Sequence, residues 1–398
     1  MTLTQPPIQP LSTPNPTAKT RVFFPNLDGL RFISFLVVFL HHCYLSFFSY
    51  LQSSEPLAFK IQSFLFKYGT LGVNFFFVLS GFLITYLLIR EKEVTGTIHV
   101  GNFYIRRILR IWPLYYLCLF IGFVVFAILK KMGGEVPHES ANPWYYIFLV
   151  GNFDYMHTWP VKPDAILLSV LWSVCVEEQF YLAWPVILKF IPVRFYKYVF
   201  TAIILLSLIF RSFYTQATEA DHAVRYFHTL SLIGDMALGA LLAWLVSFPN
   251  KFRDFITHLS KPAIAFIYIG ALCVTLGKEY IFPYGLPIIF ERLVIGVFFA
   301  LIIAEQNFAT NSLFKMSRFK LVSKLGIYTY GLYCLHLLGM YVTVRLVVKL
   351  GWQEGKLWVA VASAILALLL SIVISLASYH LFEKWFLKWK DKFAFITK

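Results

Sequence analysis

Apolar residues run through this chain in long stretches, broken by short polar segments. The clearest are roughly 30–50, 69–89, 109–129, 167–190, 198–215, 227–247, 263–277, 286–304, 326–348 and 357–382. A helix needs about 20 residues to cross about 30 Å of hydrocarbon, and each stretch suits that length once tilt is allowed for. The pattern predicts an all-α, polytopic membrane helix bundle of about ten transmembrane helices. The stretch at 263–277 is short and is expected to extend into its polar flanks. A further apolar piece, Trp144 to Phe153, is too short to span and reads as re-entrant or interfacial.

Composition agrees with this pattern. Hydrophobic residues make up 59% of the 398 positions and charged residues 14%, too few charges to cover a water-facing globule. The net charge of +15 would suggest nucleic acid in a soluble protein. Here the basic residues alternate with apolar runs, which fits membrane topology, and no nucleic-acid partner is expected. With the N-terminus inside, 22 Lys and Arg fall in cytoplasmic segments and ten in opposite ones. That bias predicts both termini cytoplasmic in a multi-pass protein of the cell (inner) membrane. Residues 1–25, rich in Pro, Thr and Gln, read as a disordered cytoplasmic tail, with no signal peptide ahead of the first span. The transmembrane domain is then 26–383, followed by a basic cytoplasmic tail at 384–398. Lys384–Lys392, with Trp385, Phe386 and Trp389, fits an amphipathic helix on the inner leaflet or a fraying helix end. Cys43, Cys118, Cys175, Cys273 and Cys334 all lie in apolar stretches without metal-type spacing, and read as small core residues.

Ionisable residues at membrane depth are costly, so each one is a candidate functional group. In LDGLRFISFLVVFLHH (27–42), Arg31 and His42 are eleven positions apart. At about 100° per residue they share a helix face, about 16 Å apart along the axis, while His41 points about 80° away from Arg31. His42 is thus the imidazole on the polar face, fit for proton transfer or for a buried hydrogen bond. In FYIRRILRIWPLYY (103–116), Arg107 and Arg110 stand at i, i+3. They suit either positive-inside anchoring or a phosphate clamp. In LWSVCVEEQFYLAW (171–184), Ser173, Glu177 and Tyr181 form a polar stripe at i, i+4, i+8, and Glu178 points about 100° away. Either carboxylate could serve a cavity or a structural ion pair. In YTYGLYCLH (328–336), Tyr333 and His336 share a face, and Tyr328 and Tyr330 read as hydrogen-bonded packing.

Together these blocks resemble the acyltransferase-3 family of integral membrane O-acyltransferases, over nearly the whole chain after about residue 25. Arg31 and His42 match its first-helix motif. LGVNFFFVLSGFLIT (71–85) resembles its Gly-Val-x-x-Phe-Phe-Val-x-Ser-Gly-Phe block and includes Ser80 and Gly81. Arg107, Arg110, Pro113 and Tyr115 match an Arg-x-x-Arg-Ile-x-Pro-x-Tyr block. Trp172, Ser173, Glu177, Phe180 and Tyr181 match a Trp-Ser-Leu-x-x-Glu-x-x-Phe-Tyr block. Asp235 and the Tyr333/His336 block also fit. Asn74 stands where many members carry Asp, and Val174 replaces the usual Leu.

The resemblance implies transfer of an acyl group, acetyl being the expected one, from acyl-coenzyme A to a hydroxyl of a cell-surface glycan or lipid-linked carbohydrate. His42 would be the general base, with Glu177 orienting the imidazole or standing on a second proton path. Arg107 and Arg110, with Arg31, would hold the coenzyme's phosphates. Acyl-coenzyme A is expected as a substrate, with no bound cofactor and no metal. Expected partners are a carbohydrate acceptor, the lipid bilayer and separate glycan-assembly proteins, since the extracytoplasmic hydrolase-like domain of some members has no counterpart here. Ser80 is either an acyl acceptor or, the preferred reading for a Ser-Gly pair, a helix-packing residue. The rival functions are a transporter or flippase for a lipid-linked sugar or anion, and a non-catalytic membrane scaffold.

Overall fold

The computed structural model describes residues 20–21, 24–352, 355–393 and 396–397. The expected N-terminal tail lies almost entirely outside these residues. Ten long helices form the bundle: α1 (Leu27–Ser46), α2 (Leu71–Thr95), α3 (Val100–Phe120), α4 (Leu171–Phe190), α5 (Tyr196–Ser212), α6 (Thr229–Ser247), α7 (Lys261–Leu276), α8 (Glu291–Phe308), α9 (Thr329–Lys349) and α10 (Leu357–Ser378). Nine of the described helical segments are long and apolar enough to span a bilayer; α7 makes a tenth if it is counted with the short helix before it. That helix, Lys251–Thr257, meets α7 at 94°, so the short seventh stretch extends into its polar flank only as far as Lys261. Ser260 instead caps α7, its side chain accepting from the Ala263 amide, with Pro262 in the first turn. The Trp144–Phe153 stretch forms no span: it is divided between two short helices, Pro143–Ile147 and Gly151–Thr158, with Trp144 and Phe148 exposed.

Helix contacts follow the small residues. The α2–α6 crossing is reciprocal: Gly81 lies on the carbonyl of Met236, and Gly239 on that of Val78, so a Cβ at either glycine would strike backbone. Gly326, just before α9, packs in the same way on the Asp28 carbonyl at the start of α1. On α10, Ala360, Ala364, Ala367, Ser371 and Ser375 are buried, while Val361, Ile365, Leu369 and Val373 form an exposed apolar stripe at i, i+4 spacing. That stripe is the lipid face.

The chain's two ends meet at one end of the bundle. Thr20 and Arg21 pair in parallel with Ile396 and Thr397, and Arg106 of α3 donates to the Phe393 carbonyl at 2.7 Å. This end is called proximal below, and the opposite end distal. Lys384–Lys390 is helical and continues from α10 through a π-helical turn at Tyr379–Glu383, with Trp385 and Trp389 exposed.

Candidate active site

Two cavities enter the bundle, and α1 serves both. The proximal one holds about 230 Å³. It takes Asp28 and Arg31 from α1, Ser80 from α2, Arg106, Arg107 and Arg110 from α3, and Ser173, Glu177 and Tyr181 from α4. The distal one holds about 740 Å³ and takes His41 and His42 from further along the same α1. Val73 of α2 and Tyr333 of α9 line both cavities and form the partition between them. The Tyr333 hydroxyl is fixed there by Ser173, 2.6 Å from its Oγ.

In the proximal cavity the arginines differ in what they already hold. Arg31 donates to Asp28 at 2.7 Å, one turn back on α1. Arg106 donates to Glu91 at 3.1 Å. Arg107 lies over the rings of Phe103 and Tyr181, at 5.6 and 5.5 Å from their centroids, and its buried Nε has no hydrogen-bond acceptor among the described residues. Arg110 makes no ion pair among the described residues, although it faces Arg31. Two guanidiniums lining one cleft with no carboxylate at ion-pair distance among the described residues are what an anion needs.

Glu177 does not touch His42. Its carboxylate accepts from the Ser80 hydroxyl at 2.8 Å and from the Tyr181 hydroxyl at 3.4 Å, inside the proximal cavity. The expectation that it orients the imidazole is therefore corrected: helix spacing puts it on the polar face of α4, but that face opens on the other side of the partition from His42. Ser80 and Gly81 also divide the role expected of them as a pair. Gly81 makes the helix contact, and Ser80 points into the cavity. Glu178 lines neither cavity; it accepts from the Trp112 indole at 2.8 Å.

The partner of His42 is His336, with Nδ1 of His42 3.0 Å from Nε2 of His336. The second His336 nitrogen, Nδ1, lies 2.8 Å from the Tyr333 carbonyl. This chain assigns the protons. A carbonyl only accepts, so Nδ1 of His336 carries the hydrogen and its Nε2, in the neutral ring, is an acceptor. Nδ1 of His42 must then donate, which leaves Nε2 of His42 with a free lone pair. His41, by contrast, has its Nδ1 3.1 Å from the Phe66 carbonyl, a structural contact on the adjoining connection.

The distal cavity is wider and more aromatic, with Tyr155, Trp159, Trp172, Tyr226 and Phe227 on one wall. Its charged groups are largely paired: Lys67 with Glu279 and Lys278 with Glu291, each at 2.7 Å, and Arg292 with Asp235. The hydrogen bond from Lys67 holds the Glu279 carboxyl below its usual range. Asn74, the departure from the family pattern, lies beside Asp235. Sequence reasoning missed this wall. Arg292 carried a signal, being a cation inside an apolar run, whereas Lys162 and Trp159 sit in a connection with no motif around them.

Among the described residues, no group of histidines, cysteines and carboxylates could hold a metal ion.

The fold and these cavities define a multi-pass membrane protein with a charged cleft at one end and an aromatic one at the other, divided by a thin partition. The chain belongs to the acyltransferase-3 family, whose acyltransferase domain matches residues 24–377. It is 27% identical to the peptidoglycan O-acetyltransferase OatA of Listeria monocytogenes, over 96% of this chain and 60% of that protein. It is 30% identical to a putative O-acetyltransferase of Staphylococcus aureus (strain COL), over 56% of this chain and 35% of the relative. It is 29% identical to O-acetyltransferase OatA of S. aureus (strain NCTC 8325), with the same coverage. The chain thus spans 60% or less of the length of these relatives. No solved structure matches it.

Proposed function

We propose that this protein transfers an acyl group, acetyl by similarity to its relatives, from acyl-coenzyme A to a hydroxyl of a cell-surface glycan or lipid-linked carbohydrate. The observation that carries this reading is the division of α1: Arg31 faces a cation-rich cleft, His42 faces an aromatic cavity, and only Val73 and Tyr333 are shared between the two. In this reading the proximal end is cytoplasmic and the membrane is the cell membrane. The coenzyme's phosphates sit against Arg107 and Arg110, with Arg31 and Arg106 at the same surface. The pantetheine arm is long and thin enough to bring the thioester to the partition, while the sugar ring lies against the aromatic wall.

The chemistry then follows from the tautomers. Nε2 of His42 takes the proton of the acceptor hydroxyl as its oxygen attacks the thioester carbonyl. The C–O bond forms, the C–S bond breaks, and the imidazolium returns the proton to the departing sulfur. His336 stays neutral throughout, accepting from Nδ1 of His42, and so keeps Nε2 aimed at the acceptor.

A second reading has its own observation, the 2.8 Å hydrogen bond from Ser80 to Glu177 on the donor side. A hydroxyl held by a carboxylate can take the acyl group first, with Glu177 accepting its proton, and pass it across the partition afterwards. Incubating the protein with radiolabelled acetyl-coenzyme A and no acceptor separates the two: label on Ser80 supports the relay, and none supports direct transfer.

The deciding experiment is mass spectrometry of surface glycans and lipids from cells with and without this protein, and with the His42→Ala variant. The expected result is one acyl group per modified sugar, present only with the unaltered protein, while the variant still inserts. Product retained in His42→Ala removes His42 as the base. Uptake or flipping of a sugar with no acylated product replaces the reading with transport.

A further inference from the structure

The distal cavity contains a charge imbalance that acyl transfer by itself does not explain. Behind its wall, Arg211 of α5, Arg292 of α8 and Lys278 of the connection before α8 gather around two carboxylates, Asp235 and Glu291. Arg211, Arg292 and Asp235 are almost wholly buried, at 3, 7 and 3% exposure. Arg292 has Asp235, and Lys278 has Glu291. Arg211 has no carboxylate within ion-pair distance among the described residues. Its guanidinium is held by neutral acceptors alone: Ile289 O at 3.1 Å, Ile288 O at 3.0 Å, Arg225 O at 3.3 Å and Ser231 Oγ at 2.9 Å.

Three cations against two carboxylates leave one positive charge in a buried cluster that opens on the cavity. A guanidinium so placed costs several kcal/mol unless an anion or strong dipoles meet it. The four neutral acceptors fix its geometry but supply no countercharge. The rest of the rim does not supply one either. Arg225 is 3.9 Å from Asp221, Lys67 is taken by Glu279, and Glu219, charged and hydrogen-bonded by the Trp159 indole at 2.7 Å, is not among the residues lining the cavity. Lys162, exposed across the cavity, makes no ion pair among the described residues.

We propose that the acceptor is an anionic sugar: a glycan unit that carries a carboxylate or phosphate on, or next to, the ring that is acylated. The anion docks between the Arg211 cluster and Lys162, and the ring stacks on Trp159 and Tyr226, which sets its hydroxyl toward His42. This rests on the reading of the distal cavity as the acceptor site. It gives that site a requirement that a neutral glycan does not meet.

The test has two arms, both on the full chain in lipid nanodiscs or in its host cells. In the first, the acylated product is isolated and its ester located by mass spectrometry. An ester on or beside a carboxylated or phosphorylated sugar is expected, and an ester on a wholly neutral glycan overturns the inference while leaving the acyltransferase reading intact. The second arm is binding alone and does not depend on turnover. Thermal unfolding is followed with methyl glucuronide, glucose 1-phosphate or methyl glucoside. The two anionic probes are expected to raise the midpoint and the neutral one not to, and which anion acts more strongly separates carboxylate from phosphate. Lys162→Gln, at an exposed position, is expected to weaken the anionic probes about tenfold. Arg211→Gln is expected to abolish their effect if it folds, and Lys162→Gln decides if it does not. Equal response to charged and neutral probes, or unchanged binding in Lys162→Gln, overturns the inference. Anion-selective binding with no acylated product in cells identifies an anionic-sugar site but overturns the acyl-transfer reading, and with it the role of that sugar as acyl acceptor.

Discussion

The two cavities are built on opposite plans. The proximal one is about 230 Å³ and presents four arginines. Two of these already hold carboxylates, and two, Arg107 and Arg110, do not. The distal one is about three times larger, at about 740 Å³, and its cations are mostly matched one to one with acids while aromatic rings make up much of its wall. A narrow cleft with planar donors fixes one shape and one charge pattern. A wide cavity of rings binds by surface contact and tolerates variation. Donor recognition in this molecule is therefore expected to be strict and electrostatic, and acceptor recognition broad and steric, apart from the buried charge at Arg211 that has no ion-pair partner among the described residues. Substitutions on the two sides should separate accordingly, with the partition residues affecting turnover and the cavities affecting one substrate each.

The largest effect is expected at the imidazole tied to that boundary through His336 and Tyr333. His42→Ala removes the imidazole whose Nδ1 hydrogen is held by His336 and whose other nitrogen serves the distal cavity. The rate constant kcat should fall by about 10²–10⁴-fold, the usual contribution of a positioned base, with the protein still inserted. His336→Phe leaves the imidazole in place but takes away the acceptor for its Nδ1 hydrogen, so a smaller loss in kcat is expected. Steady-state kinetics on both variants checks the order. If His336→Phe is the more damaging of the two, the assignment of base and orienting residue is reversed.

A smaller effect, confined to one substrate, is expected at Arg107. Arg107→Lys keeps the charge but loses the planar fork and its stacking between Phe103 and Tyr181. The KM for the acyl donor should rise by about ten- to a hundredfold, the value of one or two charge-assisted hydrogen bonds, with the acceptor KM unchanged. A rise in both constants would mean that the cleft and the distal cavity are one site, and the contrast drawn above would fail.

This contrast also explains what the sequence made legible. Most polar groups of the proximal cavity come from α1 to α4, where Arg31, Ser80, Arg107, Arg110, Ser173, Glu177 and Tyr181 fall in compact motifs. Helical periodicity alone puts each group of them on one face. The ten apolar runs were equally plain, because lipid enforces length and composition on every span. What could not be read was which helix faces meet. Glu177 and His42 each point inward, but the angle between α1 and α4 and the place of the partition are tertiary facts, so the sequence leaves open whether Glu177 meets the imidazole or stands on another proton path. Ser80 and Gly81 are adjacent in the chain and point to different surroundings, a division no local pattern reports. The distal wall was the least legible, since Trp159, Lys162, Arg211, Tyr226 and Lys278 come from scattered connections and helix ends. Those segments are far apart in the chain and share no motif, and their residues acquire meaning only from one another.

The smallest effect is expected on that wall, and it tests the contrast from the other side. Trp159 packs edge-on or tilted against Tyr155, His222 and Phe227, with ring centroids 5.9, 5.6 and 5.3 Å away, and its indole hydrogen is fixed on Glu219. Removing it in Trp159→Ala takes away one face of a platform whose other rings remain. Aromatic contacts are worth about 0.5–1.5 kcal/mol each, so the acceptor KM should rise by only about two- to tenfold, with donor KM and kcat near their original values. Trp159→Phe should restore most of the loss, because the ring rather than the indole hydrogen makes the contact. A loss as large as that of Arg107→Lys would show that the distal cavity is as strict as the proximal one. Its breadth would then be the space around a single closely held sugar rather than a tolerance for many.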